Sequence, residues 1–308
     1  MTDSAATSAP HSGWRRALPV VISLVILAMA LRALSAEFST HGYAAIRNAF
    51  HGIGVRQVVL TLVLGLSSYA CLVLFDAIGL QRSGRQLHPA RIAITAFLAH
   101  TVGQTLGFAA LTGGAVRLRG YGRVGLTLGE IGQVVLISTL GFIFGAWVLL
   151  GLALALEPAA AALALPVSPA AVEGIGIGLL VGFVAMLFAV GRKGRTLAFG
   201  AHTLWLPDYR TVLGVTVLSV IELGLASGAL YVLLPPIPGT GYVGFVGLYL
   251  VAVVAGLLST VPAGLGVFEW SLLKLLPGVA PAALLAAALV YRVTYYVFPM
   301  LLATLMAA

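Results

Sequence analysis

The sequence predicts an all-α polytopic integral membrane protein with about six full spans and two re-entrant helical hairpins. Its 308 residues have a mean hydropathy of +1.08, and several runs of roughly 18 or more residues carry almost no charge, as transmembrane helices do. Only 8% of the residues are charged, whereas a soluble domain carries about 25%. The net charge of +8 lies in short loops beside apolar runs. This placement favours a membrane phospholipid over nucleic acid as the partner.

The N-terminal region is predicted to be a short tail followed by the first span. Residues 1–16 are mostly polar or small and predict a disordered cytoplasmic tail, and residues 17–308 predict a single transmembrane domain. A cleaved signal peptide is the alternative for the apolar run at about 17–36, but the run is long for one and no small-residue cleavage site follows. We therefore predict an uncleaved first helix in the bacterial inner membrane, with a cytoplasmic N-terminus. Residues 37–56 are of mixed polarity and predict an interfacial amphipathic helix.

The first predicted hairpin follows from a conflict of charges. The loop at about 157–172 follows a span at about 128–156, and it contains no Lys or Arg, which places it outside. The two basic loops before that span are then both cytoplasmic only if the run 92–111 enters the membrane and returns. His100 and Gln104 in this run suit a broken segment that lines a cavity.

The remaining apolar runs predict further spans and a second hairpin. The other spans are predicted at about 57–79, 173–191, 211–234 and 280–306. A long run at 242–276 is interrupted by Pro262, Gly264 and Gly266, which break a helix and predict a second re-entrant segment.

The two halves of the transmembrane domain, at about 57–156 and 211–306, follow a similar plan. Each has an acid in or at the end of a span and then a glycine-rich turn with a charge. The acids are Asp76 and Glu222, and the charges in the turns are Arg117 and Glu269. Because the spans would run in opposite directions, we hypothesise an inverted repeat, and interrupted segments at matching places mark the binding site of a transporter.

The stretch at 111–123 is predicted to bind a lipid phosphate. Three arginines occur within seven residues, and the glycine pair before them suggests a turn whose backbone N–H groups would add hydrogen bonds. An ordinary positive-inside loop is the alternative. The predicted phosphate-binding residues are Thr112, Gly113, Gly114, Arg117, Arg119 and Arg123.

Ionisable and polar residues within the apolar runs are predicted to line the path of the headgroup, because intramembrane charges are costly and mark functional sites. Structural ion pairs between helices are the alternative. Arg292 is the candidate partner of Glu222 or Glu269. Glu130 is the candidate partner of Arg123. Tyrosines near span ends are predicted to be interfacial anchors. The path residues are Asp76, His100, Gln104, Glu130, Glu222, Glu269 and Arg292.

Two motifs carry a resemblance to a known family: LTGGAVRLRGY at 111–121 and VPAGLGVFE at 261–269, with 69–79 also similar. From about residue 18 onward the chain resembles the transmembrane, flippase-like region of the lysylphosphatidylglycerol synthases (the multiple peptide resistance factor). The resemblance implies movement of an aminoacylated phosphatidylglycerol, or a related lipid, to the outer leaflet, and with it antimicrobial peptide resistance. The synthases continue into a soluble aminoacyl-transfer domain that these residues do not contain. The resemblance therefore implies a transporter rather than a synthase.

Three functions remain open on these grounds. The first is a translocator of an anionic or aminoacylated phospholipid. The second is a membrane-embedded transferase with Glu269 or Glu222 as its base. The third is a lipid-binding partner subunit of a soluble synthase. The chain itself could also form a homo-oligomer. Nucleotide-binding, dinucleotide and zinc-protease motifs are missing, and Cys71 is the single cysteine. We therefore expect no cofactor and no metal site, and we favour a transporter over an enzyme, with the transferase kept as the alternative.

Overall fold

The computed structural model describes residues 45–106, 109–164, 166–190, 195–199 and 202–307. Almost all of this part of the chain is helical, and five of its helices are long and apolar enough to cross a membrane. This confirms the predicted class of an all-α polytopic membrane protein. The predicted tail and first span lie outside the described residues.

Eleven α-helices and one two-stranded ribbon make up the described part of the chain. Their bounds are α1 Val55–Arg82, α2 Pro89–Leu106, α3 Ala109–Gly122, α4 Leu128–Leu156, α5 Pro158–Ala164, α6 Pro169–Val190, β1 Arg195–Phe199, β2 His202–Leu206, α7 Tyr209–Tyr231, α8 Tyr242–Leu258, α9 Val267–Leu275, α10 Pro281–Arg292 and α11 Phe298–Ala307. A 3-10 turn at Pro262–Gly264 precedes α9, and a π-helical turn at Val293–Val297 joins α10 to α11. A helical stretch at 45–51 precedes α1.

The five candidate spans are α1, α4, α6, α7 and the combined helix Pro281–Met306. They agree with the spans predicted from the apolar runs. Local signals explain two of the starts: Thr127 and Asp208 are extended N-cap residues whose side chains accept a hydrogen bond from the backbone of the first turn of α4 and α7.

The first hairpin consists of α2 and α3, and it corrects one prediction. Gly113 lies against the carbonyl of Ala99, and Gly120 lies against Thr95, so the two helices run antiparallel in close contact. The chain therefore reverses between Leu106 and Ala109, as a re-entrant segment requires. The predicted glycine turn is wrong, since Gly113 and the residue after it lie within α3.

The second hairpin consists of α8, the 3-10 turn and α9. Its turn needs left-handed backbone angles, with φ of 52° at Ala263, 61° at Gly264 and 78° at Gly266. Glycine adopts such angles without strain. Gly264 also packs directly on the backbone of Gly256, 3.0 Å from the position that a Cβ would take. The predicted break in this apolar run is confirmed.

Two predicted loops contain regular structure. The loop at 157–172 includes the short helix α5, and the basic loop after α6 includes β1 and β2, which pair antiparallel with Arg195 opposite Leu206. The ribbon departs from the all-helical prediction, because short strands between spans carry no long apolar period. The core lies between α1, α4, α7, α8, α9 and α10, while α6 is the least buried of the five spans.

Candidate functional site between the hairpin tips

A cavity of about 480 Å³, here called the central cavity, lies where the two hairpins meet. The tip of the first hairpin contributes Gln104 and Leu111, and the turn of the second contributes Thr260 and Gly264. Its walls come from α1, α4, α7, α8 and the π-helical turn. The volume is in the range of small-molecule sites, about 300–1,000 Å³.

The central cavity lies deep within the apolar layer. Glu222 lines it and lies on α7, roughly 20 Å along the helix from Tyr209 and roughly 14 Å from Tyr231 at about 1.5 Å per residue. The apolar core of a bilayer is about 30 Å thick. The lining also includes Leu111 and Leu257, whose side chains are 74% and 54% exposed, so the cavity reaches the lipid-facing surface of the bundle.

Arg117 is held at the cavity by Asp76, which is fully buried on α1. Nε of Arg117 donates to Oδ2 at 2.9 Å, and Nη2 donates to Oδ1 at 2.6 Å. The hydroxyl of Tyr121 donates to Oδ2 at 2.9 Å. Nε2 of His100 lies 2.8 Å from Nη2 of Arg117 and 3.2 Å from Oδ1 of Asp76, so this nitrogen either accepts from the guanidinium or donates to the carboxylate, according to its tautomer. Asp76 therefore acts as the anchor of a charged network rather than as an end cap of α1.

One edge of Arg117 remains available to a ligand. Among the described residues, none accepts a hydrogen bond from Nη1, although Nε and Nη2 are both engaged. Arg117 is only 3% exposed, yet it lines the central cavity. Arg117 thus offers the N–H donors of Nη1 to a ligand in the cavity, while Asp76 neutralises its charge.

Glu222 is a buried carboxylate that no described cation neutralises. It is 5% exposed, and Oε1 accepts from Ser68 at 2.8 Å and from the hydroxyl of Tyr295 at 3.4 Å. The ion pairs of the described residues involve other carboxylates. The prediction that Arg292 is its partner is therefore wrong for Glu222.

Arg292 instead pairs with Glu269 and holds the turn of the second hairpin. Its Nε donates to Oε1 of Glu269 at 2.7 Å, and its other nitrogens donate to the carbonyls of Ala263 and Gly264. Oε2 of Glu269 accepts from the backbone of Gly266 at 2.8 Å. Neither member of the pair lines the cavity, so this pair lies behind the site and fixes the shape of the turn.

The three predicted arginines do not converge. Positions 117 and 119 are about 200° apart around a helix, and Arg119 is exposed while Arg117 is buried. Arg123 follows the end of α3 and is exposed. Thr112 and Gly114 lie in α3 between its start and Arg117.

Glu130 lies away from the cavity, at the start of α4. Its carboxylate accepts from Nε of Arg85 at 2.5 Å and from the backbone of Thr127 at 2.7 Å. The predicted pairing with Arg123 is wrong, and the N-cap of α4 explains the position of this acid. The hydrogen bond to Glu130, together with the negative charge of that carboxylate, raises the pKa of Arg85 above its usual range.

Several tyrosines at the site lie within the helical bundle rather than at the ends of the spans. Tyr69, Tyr121, Tyr291 and Tyr295 are all at most 3% exposed, and Tyr291 stacks on Tyr295 with ring centroids 5.0 Å apart. The sequence holds a signal for two of them, since Tyr121 follows Arg117 by one helical turn and Tyr295 follows Arg292 in the same way. Residues so spaced share a helix face.

The described groups form an amphipathic site. Its lining is mostly apolar, and its polar groups include Arg117, His100, Gln104 and Glu222. A phosphate suits the spare donors of an arginine, and acyl chains suit the apolar wall and the exposed rim.

Comparisons with known proteins agree with a membrane location. No protein-family model matches the chain. It is 29% identical over 283 residues to the uncharacterized protein slr0712 of Synechocystis, covering 92% of this chain and 88% of that protein. It is 26% identical over 312 residues to the inner membrane protein YbhN of Escherichia coli, covering 96% and 93%. The chain is thus a membrane protein that is similar over nearly its whole length to an inner membrane protein.

Proposed function

We propose that the protein is a lipid translocator, which moves an anionic or aminoacylated phospholipid such as lysylphosphatidylglycerol across the bacterial inner membrane. The observation that carries this proposal is the central cavity, an amphipathic space at mid-depth between two hairpins that also reaches the lipid-facing surface. A headgroup needs polar partners halfway across the membrane, while its acyl chains remain in lipid. The cavity offers both conditions.

Two further features support the proposal. Arg117 supplies donors for a phosphate inside the cavity, and Arg119 and Arg123 form an exposed basic surface beyond it, which would attract anionic headgroups. The sequence resemblance to the flippase-like region of lysylphosphatidylglycerol synthases points to the same activity.

The test is leaflet-resolved transport in proteoliposomes. Phosphatidylglycerol, lysylphosphatidylglycerol and phosphatidylethanolamine, each with a nitrobenzoxadiazole group on one acyl chain, are incorporated separately, and dithionite then reports the fraction in the outer leaflet. We expect the protein to accelerate the movement of at least one of these lipids at least tenfold over protein-free vesicles. No acceleration for any of the three would contradict the proposal.

A matched pair of variants tests the cavity itself. Thr139→Trp fills the cavity from α4, because Thr139 lines it, whereas Ile143→Trp adds the same bulk one turn further along at a 47% exposed position outside the cavity. We expect transport to be lost in the first variant and retained in the second. Equal transport in both would exclude the central cavity as the path.

A further inference from the structure

One of the buried carboxylates around the central cavity, Glu222, has no cationic partner among the described residues. Asp76 is neutralised by Arg117, and Glu269 by Arg292. Glu222 has only the hydroxyls of Ser68 and Tyr295 as partners among the described residues. An isolated ionised carboxylate in the apolar layer is costly. In the empty cavity, Glu222 is therefore stable only with a bound proton or beside a cation.

None of the described elements around Glu222 supplies a free cation that would neutralise it. His100, which lines the same cavity from α2, is held by Asp76 and Arg117. The titratable groups that act on its charge are all weak acids, which are uncharged at neutral pH: Tyr69 and Cys71 on α1, Tyr249 on α8, and Tyr295 and Tyr296 in the π-helical turn. Arg292, the nearby cation on α10, is already bound to Glu269. Arg117 is bound to Asp76.

The surroundings of Glu222 suit a cationic group of a ligand. Glu222 lines the cavity together with the rings of Tyr249, Tyr295 and Tyr296, and aromatic faces attract ammonium groups. The hydroxyl of Ser219, one turn earlier on α7, is buried at the cavity and has no hydrogen-bond partner among the described residues. It is a free polar group, 1% exposed, where α7 packs on Gly145 of α4.

From this arrangement we infer that Glu222 binds a proton and the ammonium group of a lipid headgroup alternately, and thereby exchanges one proton for each amine-bearing lipid. This inference rests on the proposed translocator function. When a headgroup enters, its ammonium group replaces the proton, which passes to water on the side to which the cavity is then open. After the lipid leaves on the other side, the carboxylate takes a proton from water there and the empty carrier returns. No oxidant, reductant or nucleotide takes part.

The exchange requires that protons and lipids move in opposite directions. A lipid that is driven in this way accumulates in the leaflet facing the more acidic compartment. At a ratio of one proton per lipid, and with the membrane potential held at zero by valinomycin and equal potassium on both sides, a gradient of one pH unit corresponds to a factor of about ten in the ratio of the two leaflets. Phosphatidylglycerol has the phosphate but no amine, so its distribution should not follow the gradient.

The experiment uses proteoliposomes of the full chain with an acidic lumen, a one-unit pH gradient and the same three labelled lipids. Pyranine in the lumen reports proton movement. We expect lysylphosphatidylglycerol or phosphatidylethanolamine to accumulate about tenfold in the inner leaflet while the lumen becomes more alkaline. We expect no such response with phosphatidylglycerol.

Variants then assign the effect to a residue. Glu222→Gln keeps the shape and a hydrogen-bonding group but not the charge, and should abolish the gradient-driven accumulation. Glu173→Gln, at an exposed carboxylate on α6, is the matched control and should behave as the wild type. Accumulation that persists in Glu222→Gln would overturn the assignment.

The outcomes separate the two proposals. If lipids move but neither their distribution nor the lumen pH responds to the gradient, the proton exchange is wrong and the translocator function stands. A preference for amine-bearing lipids without proton movement would make Glu222 an ammonium subsite only and would also overturn the exchange. If none of the lipids moves in the wild type, both proposals fail. The wild-type measurement alone decides the exchange, even where Glu222→Gln does not fold.

Discussion

Breaking the pair between Asp76 and Arg117 should be among the most damaging single changes in the described structure. Asp76 is fully buried, and its carboxylate accepts two hydrogen bonds from Arg117. Replacing Arg117 by Met keeps much of the length of the side chain but leaves the carboxylate without a cation. Removal of one partner from a buried ion pair costs about 3–5 kcal/mol, because the remaining charge is uncompensated. The hydrogen bond from Tyr121 persists, so we expect a loss of about 3 kcal/mol in the free energy of unfolding.

The assay is unfolding by dodecyl sulfate in mixed micelles, for Arg117→Met, Asp76→Asn and the double variant. Since each single variant leaves one uncompensated charge and the double variant leaves none, the two changes should not add. We expect a coupling free energy of about 2–3 kcal/mol. Arg119→Met, at the exposed arginine on the same helix, is the control and should change stability by less than about 0.5 kcal/mol.

A loss below about 1 kcal/mol for Arg117→Met would refute this reasoning, and so would additive effects of the two single variants. Either result would mean that the pair does not hold the first hairpin against α1.

Two further changes test the packing and capping of the spans by the same unfolding assay. Gly145→Ala would place a Cβ 2.2 Å from Oγ of Ser219, so α4 and α7 must separate, and we expect a loss of about 1–3 kcal/mol in the free energy of unfolding. Gly178→Ala, with open space at its Cβ, is the control and should be neutral. Equal effects of the two variants would contradict the close packing of α4 on α7. The pKa of Asp208 lies below its usual range because Thr211 donates hydrogen bonds to it, so its contribution is present above its unfolded pKa of about 3.9 and is lost as the pH falls through the lower folded value. Asp208→Ala should therefore cost about 0.5–1 kcal/mol at pH 7 and progressively less as the pH falls through the folded pKa of Asp208, and a loss that is independent of pH would exclude the charged cap.

The span boundaries could be predicted because apolar length is a local property. The span predicted at 128–156 coincides with α4, and the predicted break after about 258 coincides with the 3-10 turn. The β-ribbon was missed because its ten residues carry no long pattern. The glycine pair was misread as a turn because Gly113 serves a different purpose, the close approach of α3 to the carbonyl of Ala99.

The partners within the site were harder to predict, because they depend on which helices meet. The acids and cations were identifiable one by one, since any charge in an apolar run is conspicuous. Their pairing was not settled: Arg292 binds Glu269, one of its two predicted partners, and Glu130 binds Arg85 rather than Arg123. The hydroxyls that complete the site carry no comparable signal, since Ser68 differs little from any small residue in a span.

The π-helical turn at Val293–Val297 divides the last span into two differently oriented parts. A π turn holds one residue more than an α turn, so the faces before and after it are offset around the helix axis. The part before it packs on α7 and α9 of the second half, and α11 after it packs on α2 of the first hairpin. One continuous helix thus contacts both hairpins through unaligned faces. The two ends of this helix therefore pack on different hairpins. Tyr295 and Tyr296 lie at the junction between them, beside the cavity.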